Sequence, residues 1–484
     1  MGKLRRLAGE TVLYGLGSIL PRFLNFLLVT LHTRVFAPDE YGVITKLFAY
    51  VGVINVIFMF GMETAYFRFA NKPGVDERRV FNLAQTVVLG ISAFLSAIFI
   101  IMANPVADVL SITGHSNLVI WLVLIMFVDA AVAIPFARLR LQKKAAQFAV
   151  GKTINIFILV GLNVLFLMTS FIPAPTIDWV IVANLLANAF YLVFFFKTLL
   201  LWRPAYDSEI SPSMFSYAYP IMLTGLAGMT NEMFSRVTLD AWLPKNFYPG
   251  QTNEHALGVF GACYKFAVLM NLAIQAFRYA AEPFFFANAS EKNSPHLFAR
   301  VNHYFVIVCC VLLLGVSINL DLIKYFLGQP EYWEGLHIVP ILLLGYLFLG
   351  VYYNFSIWFK LTDKTYYGTI ITVIGAIITI VANYFLIPVS GYTGSSLATL
   401  FCYFTMTAIC YLLGQKYYRI PYSIVRATFY IAFTMMLVYV VKYADDTLKT
   451  EKQIISTAFH AAVLVSYLFI IYLLERRNFK LSAA

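Results

Sequence analysis

Residues 118–137 read LVIWLVLIMFVDAAVAIPFA, twenty consecutive residues of which only Asp129 carries a charge. An α-helix needs about 20 mainly apolar residues to cross the hydrocarbon core of a bilayer. The stretch therefore predicts a transmembrane helix, and the rest of the chain can be compared with it.

The composition of the whole chain agrees with this stretch. Of the 484 residues, 61% are hydrophobic and 12% are charged. A soluble protein carries about 25% charged residues, so this chain could not cover a water-facing surface of its size. The composition excludes a soluble enzyme, a nucleic-acid-binding domain and a disordered chain, and it indicates a polytopic membrane protein.

Fourteen apolar runs are long enough to cross a membrane, and the loops between them are short. We therefore expect an all-α polytopic membrane protein of about fourteen transmembrane helices. The predicted spans are 12–36, 42–67, 81–103, 118–137, 147–170, 178–199, 214–243, 257–283, 301–325, 337–359, 367–388, 394–414, 423–441 and 454–474.

The orientation follows from the basic residues of the loops. With the N-terminus inside, the inner segments hold 23 Lys and Arg and the outer loops hold five. This asymmetry predicts that both termini are cytoplasmic. It also explains most of the net charge of +11, because basic inner loops face anionic lipid headgroups and need no nucleic acid.

A weak internal repeat suggests how the spans are grouped. Residues 35–38 resemble 241–244, and residues 41–43 resemble 257–259 at a similar offset. Such repeats are typical of transporters. We expect two six-helix lobes around a central cavity, 1–202 and 213–414, followed by the terminal pair and tail, 415–484. The linker between the lobes contains Asp207 and Glu209, which we expect to be solvated.

Seven basic residues remain inside the predicted spans, where a charge costs about 2.5–3.5 kcal/mol at the bilayer centre. Three of them lie near helix ends and are expected to snorkel to the interface. Two others lie four positions from an acidic residue, which predicts intrahelical pairs. The first group is Lys46, Lys152 and Lys324, and the pairs are Glu232–Arg236 and Arg278–Glu282.

Arg22 and Lys265 differ from the others because no acidic residue lies within one turn of either. Arg22 is about ten residues into the first span, roughly 15 Å deep. Each could pair across helices with Glu63, Asp129 or Glu232. Alternatively, the two cations line a cavity, with Arg22 of one lobe facing Lys265 of the other.

Further polar residues of the spans either line the same cavity or form hydrogen bonds between helices. The cavity-lining candidates are Asn25, Glu63, Asn231, Arg236, Asn271 and Arg278. Glu232 is the candidate for proton or sodium coupling, because it is a carboxylate deep in the seventh span. The histidines and cysteines show no ligand spacing, so no metal site is expected.

Three stretches carry a resemblance to a known family. The first is the opening of the chain, with 9–18, Pro21-Arg22-Phe23-Leu24-Asn25-Phe26 and 33–42; the second is 61–69; the third comprises 360–365, 383–388, 391–394 and 398–399. In this order they resemble the polysaccharide transporter (O-antigen flippase-like) branch of the multidrug/oligosaccharidyl-lipid/polysaccharide (MOP) exporter superfamily.

The resemblance implies a two-lobed bundle that works by alternating access and is not an enzyme. It implies that a polyprenyl-diphosphate-linked oligosaccharide moves from the cytoplasmic to the outer leaflet for cell-surface polysaccharide synthesis. Arg22 and Lys265 match cavity arginines of the first and eighth helices of the lipid II flippase branch, with Lys in place of one Arg. The other expected arginines have no counterpart here, which argues against lipid II itself.

The resemblance also sets expectations for partners and location. The partners would be the lipid bilayer, the lipid-linked glycan and the polysaccharide polymerase machinery, in a bacterial inner membrane. No cofactor is expected, and coupling to the membrane potential, H⁺ or Na⁺ stays open. The alternative is an ion-coupled small-molecule or drug exporter on the same fold, but its site should be acidic, whereas the deep charges here are basic.

Overall fold

The computed structural model describes residues 2–170, 172, 174–291, 293–448 and 453–482, and every regular element in these ranges is helical. The α-helices are α1 Gly2–Val35, α2 Pro38–Met59, α3 Met62–Ala70, α4 Glu77–Ile101, α5 Ala103–Val109, α6 Ser116–Leu141, α7 Ala145–Met168, α8 Ile177–Phe194, α9 Phe196–Leu200, α10 Ser211–Trp242, α11 Asn253–Ala287, α12 Ser294–Ile318, α13 Leu320–Ile323, α14 Val339–Phe355, α15 Ile357–Leu361, α16 Tyr366–Tyr417, α17 Ile424–Leu448 and α18 Gln453–Ser482. Two 3₁₀ segments, Lys324–Phe326 and Pro330–Ile338, precede α14.

The helices of the structure cover the fourteen predicted spans. Eleven helical segments of the described chain are long and apolar enough to cross a membrane. Helices α1 and α10, with 34 and 32 residues, coincide with the first and seventh predicted spans. Helix α16 has 52 residues and bends at Gly391 (φ 55°, ψ −133°), so it contains two predicted spans. The prediction of an all-α polytopic membrane protein with about fourteen spans is confirmed.

The second predicted span is interrupted where one continuous helix was expected. Phe60 and Gly61 adopt left-handed conformations (φ 51° and 69°) and separate α2 from α3. A Cβ at Gly61 would lie 2.6 Å from the carbonyl oxygen of Ala218 in α10. Glycine allows both this backbone conformation and the close approach of α10.

The chain divides into two compact units. The first comprises Met1–Gly258 with Thr379–Val381, and the second comprises Val259–Ile378 with Ala382–Ala484. Helix α10 therefore packs as part of the first unit. The lobe boundaries come from the sequence repeat, whereas the two units are defined by contacts within the structure. The lobes therefore stay a prediction.

The first unit is built around α6. Of the 18 most apolar consecutive residues of α6, 72% are buried, against 28% in the corresponding stretches of α4 and α7. Phe136 of α6 makes edge-on ring contacts with Phe148, Tyr191 and Phe195, at centroid distances of 5.6, 5.0 and 4.7 Å. Lipid chains are as apolar as these rings, so close packing holds the helices together.

The second unit has two central segments, α11 and the stretch Pro330–Leu361, each 67% buried in its most apolar window. Helix α12 packs against α14, α17 and α18. Near one end of this unit, Phe285, Phe298, Ile357 and Ile420 form a buried cluster. The packing brings the first turn of α12 beside the start of α17.

Candidate functional site

Arg22 and Asn25 lie on one face of α1. The opposite side of the helix packs on α7, where a Cβ at Gly17 would lie 2.9 Å from the Cα of Ala149. Both polar side chains are exposed, and their spacing of three residues makes them neighbours on the helix surface. The packing of α1 on α7 therefore leaves Arg22 and Asn25 uncovered within the first unit, beside the exposed Phe23 and Leu27.

Arg22 lies far from the end of α1 at Val35. It lies thirteen residues before Val35, roughly 20 Å along the helix axis from that end. Charged side chains at such positions face a protein interior or a water-filled cavity, because lipid chains cannot solvate them. Arg22 forms no ion pair with any described residue, so its charge is available for an anionic ligand.

Lys265 and Asn271 lie on α11 in the second unit. Lys265 is half-buried and interacts with a neighbouring group. The side-chain oxygen of Asn271 is buried and has no hydrogen-bond partner among the described residues. Arg22 and Lys265 belong to different units, so the expectation that they face each other stays a prediction.

Arg278 belongs to a cluster that has an excess of positive charge. The intrahelical pair forms, with Arg278 Nη2 3.6 Å from Glu282 Oε1. Lys360 of α15 adds a second cation 2.6 Å from the same oxygen, and the Arg278 guanidinium lies 3.9 Å from the ring centre of Tyr353. The sequence could not reveal Lys360, because only the fold brings α15 beside α11.

The acidic residues considered as partners for the deep cations are engaged by other groups. Glu63 forms an ion pair with Arg140. Asp129 accepts a hydrogen bond of 3.0 Å from the Asn188 amide. These contacts involve two of the three acids that could pair with Arg22 or Lys265.

The third acid, Glu232, takes part in the expected intrahelical pair. Arg236 Nη2 lies 3.9 Å from the carboxylate of Glu232 and donates a 2.7 Å hydrogen bond to its main-chain oxygen. The neighbouring Asn231 is buried and accepts a 3.4 Å hydrogen bond from Thr379. Asn231 thus connects helices, which was one of its two expected roles.

Lys46 does not snorkel, so this prediction is wrong. Its side chain is only 3% exposed, and its ammonium lies 2.5 Å from Asp240 and 3.8 Å from Glu254. The end of α10 and the start of α11 bring these carboxylates beside α2, which no local pattern in the sequence shows. Together with Tyr50 they line a cavity of about 480 Å³ in the first unit.

Lys152 lies against two aromatic rings, and its expected snorkelling stays a prediction. It is half-buried, and its ammonium lies 4.1 Å from the ring centre of Phe136 and 4.9 Å from that of Tyr191. Cation–π contacts of this kind stabilise a partly desolvated ammonium. Lys324 is 24% exposed and pairs with Asp321 at 3.5 Å.

The expectation of a solvated linker is wrong for Asp207. This residue is 5% exposed, forms an ion pair with Arg79, and accepts backbone hydrogen bonds from Glu209 (3.0 Å) and Ile210 (3.1 Å). Burial acts to raise the pKa of Asp207, but these N–H groups and the Arg79 guanidinium outweigh it, so the pKa lies below its ordinary value. Glu209 remains 82% exposed.

The chain matches a known protein family, and its structure is similar to solved structures. A family model described as "Polysaccharide biosynthesis protein" matches residues 31–278. The structure is similar to lipid II flippase MurJ in an inward closed conformation, with a TM-score of 0.72 and 13% identity over 95% of this chain and 99% of that one. None of the curated protein sequences compared with the chain matches it.

Two multidrug transporters show the same fold. An inward-facing multidrug resistance MATE family transporter of the MOP superfamily gives a TM-score of 0.63 at 13% identity, over 84% of this chain and 97% of that one. A MATE transporter from Vibrio cholerae gives 0.59 at 14% identity, over 85% and 96%. At such identities the likeness establishes the fold.

The fold defines the class: a polytopic helical membrane protein. Since the family model covers more than half of the chain, the chain belongs to the polysaccharide biosynthesis protein family. The resemblance seen in the sequence is thereby confirmed.

Proposed function

We propose that this protein is a flippase that moves a polyprenyl-diphosphate-linked oligosaccharide from the cytoplasmic to the outer leaflet by alternating access. Arg22 and Lys265 would bind the diphosphate, and Asn25, Asn271 and Arg278 would line its path. The location would be a bacterial inner membrane with both termini inside.

The exposed, unpaired charge of Arg22 within a membrane span is the observation that carries the proposal. A diphosphate is a dense anion, and guanidinium groups match its oxygens with paired hydrogen bonds. The cluster around Glu282 supports the same sign of ligand, because its two cations exceed its one carboxylate.

The alternative is an ion-coupled exporter of small cationic molecules, because a multidrug resistance MATE family transporter has a similar fold. Such a substrate needs an available acid inside the membrane. Glu63 pairs with an arginine, Asp129 accepts a hydrogen bond from an amide, and Asp240 pairs with a lysine. The ion pairs of Glu63 and Asp240 therefore favour the anionic substrate.

The test is flipping of a fluorescent polyprenyl-diphosphate oligosaccharide by the full-length protein in proteoliposomes, read by an impermeant quencher. Arg22→Ala should lower the rate at least about tenfold, since a hydrogen bond to a charged group contributes about 1.5–3 kcal/mol. Arg22→Lys should retain an intermediate rate, because it keeps the charge and loses the planar fork.

Arg203→Ala is the matched control, since it removes an exposed linker arginine far along the chain from α1. It should flip the substrate at the rate of the unaltered protein. Normal flipping by Arg22→Ala would overturn the diphosphate role. Transport of a cationic dye with no flipping of the glycan would favour the exporter.

A further inference from the structure

A second basic site lies entirely within the second unit, between the first turns of α12 and α17. Here a pocket of about 240 Å³ opens to the surface. The polar side chains that line it are His296, Arg300, His303, Tyr304, Ser423 and Arg426. None of them belongs to the residues proposed above to meet the diphosphate.

The pocket is cationic. Arg300 and Arg426 are exposed, and neither forms an ion pair with any described residue. No carboxylate is among the residues that line the pocket. Two arginines that converge on one concave surface without an acidic partner repel each other, and an anion between them removes that repulsion.

His303 provides a buried group with unused hydrogen-bonding capacity. It is 9% exposed, and its Nε2 lies 2.9 Å from Glu475 Oε1, which also accepts a 2.7 Å hydrogen bond from Tyr430. Its Nδ1 is buried and has no hydrogen-bond partner among the described residues. Because Nε2 faces Glu475, Nδ1 is the ring nitrogen left for a hydrogen bond with a ligand.

The start of α17 adds to the positive field. The Ser423 carbonyl accepts the hydrogen bond of Ala427 (3.0 Å), so the N–H groups of the first turn begin at the pocket. The dipole of a 25-residue helix favours an anion at this end. Arg426 lies within the same turn.

We propose that this pocket binds the phosphate group of a lipid at the membrane surface predicted to be cytoplasmic. Its volume suits a headgroup better than an oligosaccharide, since pockets for drug-sized ligands begin near 300 Å³. The shared chemistry is a lipid-borne phosphate. Its source is either an anionic phospholipid of the surrounding leaflet or the diphosphate of a polyprenyl-linked substrate.

The experiment measures binding to the purified full-length protein by isothermal titration calorimetry in neutral detergent. The probes are dioctanoyl phosphatidic acid and farnesyl diphosphate, with dioctanoyl phosphatidylcholine as the neutral reference. Arg300→Gln with Arg426→Gln should weaken binding of an accepted probe at least about tenfold, the loss expected for two charge-assisted hydrogen bonds. Arg300→Lys with Arg426→Lys should retain most of the binding, because both charges are kept.

The control variant is Lys416→Gln with Arg419→Gln, which removes the same charge from exposed positions just before α17 but outside the pocket. It should change binding less than about twofold. Pocket-dependent binding of farnesyl diphosphate would identify the substrate source, and pocket-dependent binding of phosphatidic acid alone would identify a resident phospholipid.

The proposal is overturned if neither probe binds better than phosphatidylcholine, or if the control pair weakens binding as much as the pocket pair. Its failure is distinguishable from failure of the flippase proposal. Arg22→Ala should leave the pocket-dependent part of binding unchanged, that is, the difference between proteins with and without Arg300→Gln and Arg426→Gln, whereas it should lower the flipping rate at least about tenfold.

Discussion

Gly42 of α2 and Gly258 of α11 cross each other in direct backbone contact. A Cβ on Gly42 would overlap the carbonyl oxygen of Glu254, and one on Gly258 would overlap that of Pro38. Pro38 and Glu254 each precede their glycine by four residues, so the contact has local two-fold symmetry. The two glycines are also the positions that the sequence pairs as a repeat, which supports a duplicated origin for this crossing.

The crossing predicts a defect from the smallest possible substitution. Gly258→Ala should lower the free energy of unfolding by about 1–3 kcal/mol, because overpacking forces the helices apart. Thermal unfolding in detergent measures this. Gly90→Ala is the control, since it has no heavy atom within 4 Å and alanine favours a helix. Equal unfolding temperatures for the two variants would contradict the tight crossing.

The buried pair of Lys46 and Asp240 predicts asymmetric mutational effects. Asp240→Asn should destabilise the protein by about 3–5 kcal/mol, because it leaves the Lys46 ammonium buried without its nearest carboxylate. Lys46→Met with Asp240→Leu should be less harmful than the single change. Asp321→Asn, which breaks an exposed pair with Lys324, should alter stability by less than about 1 kcal/mol. Similar unfolding temperatures for the two single variants would refute the buried pair.

Lys265 should act through its positive charge. Lys265→Arg should retain flipping in proteoliposomes, and Lys265→Glu should reduce it at least about tenfold, because a carboxylate repels the diphosphate. Size-exclusion profiles of both variants check that they remain folded. If the two flip equally well, the cation at this position does not meet the substrate.

Glu232 is expected to couple transport to an ion gradient. Glu232→Gln should abolish the response of flipping to an imposed H⁺ or Na⁺ gradient, and adding Arg236→Gln should not restore it. A purely static role in neutralising Arg236 gives the opposite result, since the double variant removes both charges of the pair. Restored gradient-dependent flipping would therefore reject the coupling role.

Asp207 should stabilise the linker above the ordinary pKa of an aspartate, 3.8, because its pKa is lower in the folded protein. Asp207→Asn should therefore lower the unfolding temperature at pH 7. The difference from the unaltered protein should shrink as the pH falls below 3.8 and Asp207 becomes protonated. Glu209→Gln, at an exposed position, should behave like the unaltered protein at every pH. A difference that stays constant with pH would contradict the role of the ionised carboxylate.

The membrane class, the helical spans and the family are all predictable from the sequence. These follow from local properties: a run of about 20 apolar residues must span as a helix, because only a helix satisfies its own backbone hydrogen bonds in lipid. It also predicted the pairs Glu232–Arg236 and Arg278–Glu282, because residues four apart on a helix are neighbours.

Which distant charges meet depends on how the helices pack in three dimensions. Asp240 neutralises Lys46 and Lys360 joins Glu282 because helices far apart in the chain pack side by side. The place of Lys46 near a helix end predicts snorkelling. A carboxylate on another helix instead stabilises the desolvated ammonium more than the membrane interface would. The pocket beside His303 likewise depends on α12, α17 and α18, whose residues share no pattern in the sequence.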